Sequence, residues 1–311
     1  MPMTRDFAAT FALVSYNQQD IVEEAARAVL AQDSDPLQII LSDDASSDRT
    51  FEILQKIAEE YQGPHHVTAR RNAQNLGLNG HMKEVVTVAQ CDFIIWIAGD
   101  DVSVPNRARR ILEAQKKTGA KLIFSDAQTR RPDGSVGSQN YRKALLYKES
   151  FTLEEAATSF ALYLGATAAW HKDLHDRYGG FPKDRAHEDL ILGFRAAMEN
   201  SLHYIPEDLV IYLEDAGVSS RLTRKTSGLE NRARRRSILQ GQLTVIEQRQ
   251  KDVDCFGLRA DHPARDAMRR LSDKLAMRLC YYDGGVRAYA GRPFRLSHAL
   301  LSEWLRDIRN R

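Results

Sequence analysis

DFIIWIAGDD (92–101) is the stretch on which the fold turns. Seven residues, almost all apolar, run into a glycine and two adjacent acids. A short run apolar on both faces is the pattern of a central strand in a covered parallel sheet. Ligand sites in such sheets lie beyond the carboxyl ends of the strands. Asp100 and Asp101 therefore fall where chemistry is expected. Neighbouring carboxylates repel unless a cation or hydrogen-bond donors stand between them, so the pair calls for a divalent metal.

Working outward, the same alternation repeats. FALVSY (11–16) and LQIILS (37–42) are strand-like, and HHVTAR (65–70) and KLIFSD (121–126) follow the same pattern. Between them, helical periods appear: Ile21, Ala25, Ala28 and Val29 share one face, as do Phe51, Leu54, Ile57, Ala58 and Tyr61. Further helices are expected over 80–89, 106–117 and 187–199. This β-α-β-α order predicts an α/β fold with a mostly parallel sheet covered on both sides. RRPDGSVG (130–137) is a turn cluster that closes a hairpin. Residues 141–182 are expected to be irregular, and 202–213 to form short strands. Asp48, just before a helical period, is expected to cap that helix.

The groups following each strand decide the chemistry. Tyr16-Asn17 follows the first, Asp43-Asp44 the second and Asp100-Asp101 the fourth. No glycine-rich phosphate loop follows the first strand, and no GxxxxGK[ST] sequence occurs anywhere. Phosphates would instead be held through a metal on Asp101, since Mg²⁺ and Mn²⁺ take few carboxylates and fill their shells with phosphate and water. His81, His171, His175 and His187 lack zinc-ligand spacing. Trp96 is expected in the core, whereas Trp170, in the GATAAWH stretch, is a candidate for stacking on an acceptor sugar.

VSYN (14–17), LSDDASSDRT (41–50), NAQNLGLNGH (72–81), WIAGDDVSVP (96–105) and HEDLILGFRA (187–196) together resemble glycosyltransferase family 2, over about residues 10–215. The resemblance implies a GT-A fold and an inverting transfer of sugar from a nucleotide-sugar, the alternatives being a sugar-nucleotidyltransferase or a silent binding protein of the same fold. It implies that Asp44, with Asp43 beside it, reads the nucleobase edge and that Tyr16 and Asn17 flank the base. It implies donor contacts from Asn75, Gly77 and Asp100, and a Mn²⁺ or Mg²⁺ ligand at Asp101. Asp189 is implied as general base, with Glu188 at the acceptor. In place of a YRxH-like loop stands Tyr212-Leu213-Glu214-Asp215, where the Asp215 carboxylate is a candidate second metal ligand.

The composition, 43% hydrophobic and 28% charged, is that of a globular protein. Residues 1–220 are expected to form the catalytic domain and 221–311 a mostly helical extension. That extension holds 21 Lys/Arg against 10 Asp/Glu, a balance suited to an anionic membrane surface bearing a saccharide or lipid-linked acceptor. Its basic residues lack interleaved aromatics, so nucleic acid is not expected; an oligomer is compatible with the sequence. Three scattered cysteines, no signal-type segment and no membrane-length apolar run make the expected location cytoplasmic, with peripheral contact at the inner face of the membrane.

Overall fold

A computed structural model describes residues 7–182, 187–214, 228–284 and 294–309. The first half alternates β1 (Thr10–Ser15), α1 (Val22–Leu30), β2 (Gln38–Asp43), α2 (Thr50–Glu60), β3 (His66–Arg71), α3 (Gly77–Val88) and β4 (Phe93–Ala98). After it come β5 (Val102–Ser103), α4 (Arg107–Thr118), β6 (Leu122–Arg130), α5 (Leu153–Thr158), β7 (Ala169–His171) and α6 (Asp173–Asp176). Then follow α7 (Glu188–Met198), β8 (Leu202–Leu213) and three helices of the extension: α8 (Gly228–Phe256), α9 (Pro263–Gly284) and α10 (Phe294–Arg309). The eight described strands form one sheet in the order β3-β2-β1-β4-β7-β6-β8-β5.

The β3-β2-β1-β4 half is parallel throughout. Of its strands, β1, β2 and β4 bury alternate residues in two different cores. Phe11, Leu13, Ile39, Leu41, Ile95 and Ile97 pack under α1, α2 and α4. Ala12, Val14, Ile40, Ile94 and Trp96 pack with α3, α7, α8 and α9. Burial on both sides is why the strands carry continuous apolar runs rather than alternation. Each fully buried Leu or Ile contributes about 1.5–3 kcal/mol, which makes this half the anchor of the fold.

Beyond the two-residue β5, two features depart from the sequence expectation. Within the segment expected to be irregular, β7 enters the centre of the sheet, antiparallel to both β4 and β6. Residues 202–213 form one strand, parallel to β6 with a bulge near Asp126 and antiparallel to β5. The hairpin turn is present: Arg130 bridges Val136, and Gly134 takes a φ of 84°. Asp48 accepts the Thr50 N–H at 3.0 Å just ahead of α2, but the N-cap position itself is Arg49, which makes no side-chain cap bond.

The extension is packed against the rest of the molecule. Leu239, Val245, Ile246, Val253, Ala264, Met268 and Leu275 share the core that contains Ile94 and Trp96. On α8, Asp252 pairs with Arg195 of α7 at 2.9 Å, both side chains fully buried. Several of the extension's cations serve internal contacts: Arg235 with Glu303, Arg236 with Asp283, and Arg265 with Asp254.

Candidate active site

A cleft of 460 Å³ opens at the carboxyl ends of β1, β2 and β4 and is closed on its far side by the 163–166 loop and the start of α7. Strand polarity places it there, because parallel neighbours deliver their following loops to one edge. Gly99 lets β4 end tight against β1: a Cβ there would lie 2.6 Å from Gln18 Oε1 and 3.1 Å from Ser15 Cβ.

The loop after β2 is built before it can recognise anything. Asp43 is fully buried; it accepts the Ser46 N–H at 2.9 Å and the Ser46 hydroxyl, and pairs with Arg71 at 3.3 Å. Asn17, at a φ of 52°, accepts the Ser47 N–H at 2.8 Å, while its own N–H donates to Ser46 Oγ at 2.9 Å. Asn17 thus staples the β1 loop to the β2 loop, Asp43 ties the β2 loop to β3, and neither lines the cleft. Asp44 does line it. Its Oδ1 accepts the Asn72 side-chain amide at 2.7 Å and the Leu76 N–H at 2.9 Å. Tyr16 lies at the mouth, 44% exposed.

Asn75 and Gly77 also line the cleft. Asn75 Oδ1 accepts the Gly77 N–H at 3.1 Å, and Gly77 adopts a φ of 69°, the left-handed conformation that favours glycine. One helical turn on, His81 lines the same cleft; in the sequence it lacks zinc-ligand spacing and stands, with Lys83, where the family pattern differs. The i, i+4 spacing from Gly77 was the available signal. Ser42 Oγ lies 2.6 Å from His81 Nε2 and accepts from Arg70 Nη1 at 2.7 Å. Burial pulls His81 down to about 4, so it is neutral at ordinary pH.

Asp100 and Asp101 line the floor. Asp101 is buried and accepts the Leu213 N–H at 3.2 Å. Burial and then the neighbouring Asp100 charge push its carboxyl well above the usual range, while Leu213 and Arg107 oppose that shift. A buried carboxyl so penalised beside a second acid fits a hard divalent cation that completes its shell with ligand phosphates and water. Among the described residues, no group of three His, Cys, Asp or Glu side chains forms a protein cage for a metal. Asp215 lies outside the described residues. Glu214 accepts the Ser138 N–H and hydroxyl, at 2.9 and 2.6 Å, on the hairpin side.

Opposite the floor, Glu188 and Asp189 open α7 and line the cleft. Burial, then the Asp189 charge, raises Glu188 to about 8. Burial also raises Asp189, against the lowering effects of His187, the Leu190 N–H and Arg249. Tyr163 lines the cleft beside them, and its buried hydroxyl has no hydrogen-bond partner among the described residues. Trp170 does not belong to this site. It is fully buried in the middle of β7, edge-on to Phe181, so no acceptor sugar can stack on it.

One cleft thus collects acids from the ends of β2, β4 and the start of α7, and residues 10–179 match the profile described as Glycosyl transferase family 2. The chain belongs to glycosyl transferase family 2. This family 2 chain is 22% identical over 210 residues to an uncharacterized protein, Rv1520, of Mycobacterium tuberculosis, covering 65% of the chain and 58% of that relative. It therefore spans about three-fifths of the relative's length. The succinoglycan biosynthesis protein ExoO of Rhizobium meliloti is 26% identical over 125 residues, 40% of the chain and 34% of its own length. In fold, the family 2 chain is similar to S. aureus TarS 1–349 in complex with UDP-GlcNAc, with a TM-score of 0.56 and 16% identity over 90% of this chain and 89% of that one. It is also similar to the mannosyltransferase PcManGT of Pyrobaculum calidifontis in complex with GDP-Man and Mn²⁺, with a TM-score of 0.57 and 16% identity over 96% and 80% of the two chains. Both are glycosyltransferases, and the shared architecture is the GT-A fold.

Proposed function

We propose that this chain is an inverting glycosyltransferase, moving a sugar from a nucleoside diphosphate sugar to a hydroxyl of a saccharide or lipid-linked saccharide. The carrying observation is the single cleft with Asp44 near one end, Asp100-Asp101 on the floor and Glu188-Asp189 opposite. Asp44 accepts from a base N–H while Tyr16 packs near the base; Asn75 and Gly77 shape the donor side. Asp100 and Asp101 would hold Mn²⁺ or Mg²⁺. When bound, that cation supplies neutralisation of the departing diphosphate. Asp189 removes the acceptor hydroxyl proton as the oxygen attacks the anomeric carbon from the face opposite the nucleotide. The new C–O bond forms as the bond to the diphosphate oxygen breaks, and the nucleoside diphosphate leaves with that electron pair. Glu188, held protonated near neutral pH by burial and then by its neighbour's charge, donates a hydrogen bond on the acceptor side.

Supporting this reading, the similar structures hold UDP-GlcNAc in one case and GDP-Man with Mn²⁺ in the other. The ExoO similarity favours polysaccharide assembly as the setting. The test is nucleoside diphosphate release from a panel of UDP-, GDP- and dTDP-sugars, with Mn²⁺ and with EDTA. Asp101→Ala abolishes the Mn²⁺-dependent rate, and Asp189→Asn lowers transfer by about 10²–10⁴-fold. Wild-type transfer by Asp189→Asn would remove the base assignment. Pyrophosphate release from a nucleoside triphosphate and a sugar phosphate would instead mark a nucleotidyltransferase.

The free cysteines Cys91, Cys255 and Cys280 support a cytoplasmic location. No helix among the described residues is long and apolar enough to cross a membrane. Contact with an anionic bilayer through the extension is part of this proposal. Co-sedimentation with phosphatidylglycerol vesicles, weakening as salt rises, is the expected result; equal sedimentation with neutral vesicles would exclude it.

A further inference from the structure

The acid pair at the start of α7 is gripped from behind by a helix of the extension. Arg249 of α8 has no exposed surface. Its Nε and Nη2 donate to the Leu190 carbonyl at 3.2 and 2.8 Å. Its Nη1 donates to the carbonyls of Ala157 at 3.0 Å and Ser159 at 2.8 Å. The guanidinium lies over the Phe194 ring, 5.3 Å from its centroid. Leu190 directly follows Asp189, and Ser159 opens the stretch running to Gly165. A Cβ at Gly165 would lie 3.2 Å from Glu188 Oε1 and 3.3 Å from Asp189 Cβ, so that stretch is packed against the acids. Arg249 therefore ties together the two segments that enclose the acid pair.

All four of these bonds go to neutral carbonyls. A buried cation is costly in such surroundings unless an anion gains from it. Asp189 faces Glu188 and His187 on its own segment, Tyr163 from the loop and Arg249 from α8. Burial lowers Arg249 to about 9 against the opposing charges of Asp189 and, on its own helix, Asp252, so it carries its charge at neutral pH.

We infer that Arg249 is a positioning residue for sugar transfer, holding Asp189 in register with the acceptor side of the cleft and placing a positive charge behind it. The inference rests on the glycosyltransferase reading above. It gives the basic extension a part in the active site that is separate from any membrane contact.

The test uses full-length Arg249→Met and Arg249→Lys with whichever donor of the panel the wild type consumes. Melting curves, kcat, donor KM and the pH profile of kcat are measured for each. Arg249→Met is expected to lower kcat on the order of 100-fold with donor KM unchanged, and to move the acid limb of the profile to higher pH. Arg249→Lys keeps the charge but not the fork of bonds. It is expected to leave the limb in place and to lower kcat about tenfold. Cooperatively melting variants with the wild-type limb and kcat would overturn the inference, leaving Arg249 a strut. If Arg249→Met does not melt cooperatively, Arg249→Lys decides alone, wild-type kcat being the overturning result. Asp189→Asn run in parallel separates the two failures. If it retains transfer, or if the wild type consumes no donor, the glycosyltransferase reading has failed; if it is inactive and the Arg249 variants match wild type, only the inference has.

Discussion

Asp44 holds two donors, the Asn72 amide and the Leu76 N–H, on one oxygen. Asp44→Ala leaves both unpaired in a buried site, at a cost of about 1–3 kcal/mol. A lower melting temperature and the loss of any thermal shift from nucleotides are expected together; an intact shift would show that the base is read elsewhere. Its neighbour behaves differently because Asp43 spends its carboxylate on Ser46 and Arg71. Two identical letters in a row carry no information on which side chain turns inward, so this division was not legible in the sequence. The acids at 100 and 101 were legible because a strand end fixes where they emerge, whereas those at 188 and 189 stood out only through the family resemblance, since acids are favoured at any helix start. Glu188 gives a second measurable consequence. Its folded-state value, about 8, lies above the unfolded carboxylate's, so the native state binds the extra proton between those values. Its ionisation therefore weakens the fold progressively from about pH 4.5 to pH 8 and fully above that range. Glu188→Gln should raise the melting temperature relative to wild type at pH 8.5 and leave it little changed at pH 4; an equal effect at both pH values would contradict the assigned burial.

At the scale of elements, the turn into α3 depends on one residue. Gly77 holds a φ of 69° with nothing within 4 Å of where a Cβ would sit. Gly77→Ala should therefore cost about 1–2 kcal/mol from backbone strain alone, without a clash, read as a modest melting-temperature drop in a folded protein. The parallel strands were foreseeable from their continuous apolar runs. β7 was not. Its three residues, Ala169–His171, are too few to show a period, and their pairing with β4 and β6 is antiparallel and distant in sequence. Missing that strand is what left Trp170 looking available for a sugar. β5 escaped notice for the same reason, being two residues long.

Across the whole molecule, the extension proves integral. The buried seam of α8 contains Leu239, Val245, Ile246, Arg249, Asp252 and Val253. Two charged residues inside it break the apolar stripe, so the sequence presented a charged appendage where the structure has a core helix. Asp252→Asn leaves the fully buried Arg195 without its counter-ion and should destabilise the protein by about 3–5 kcal/mol, measurable by denaturant unfolding. Removing residues 228–311 would bare the apolar surface under α8 and α9, and the fragment should lose cooperative melting. The late position of β7 has a further consequence, for synthesis on the ribosome. One edge of β4 pairs with β1, but its other edge waits for residues 169–171. At roughly 5–20 residues per second, the intervening ~70 residues leave that apolar edge open for about 4–15 s. For that interval the nascent chain presents an unpaired hydrophobic template to its neighbours, and holdase protection should matter most between emergence of residue 98 and emergence of residue 171.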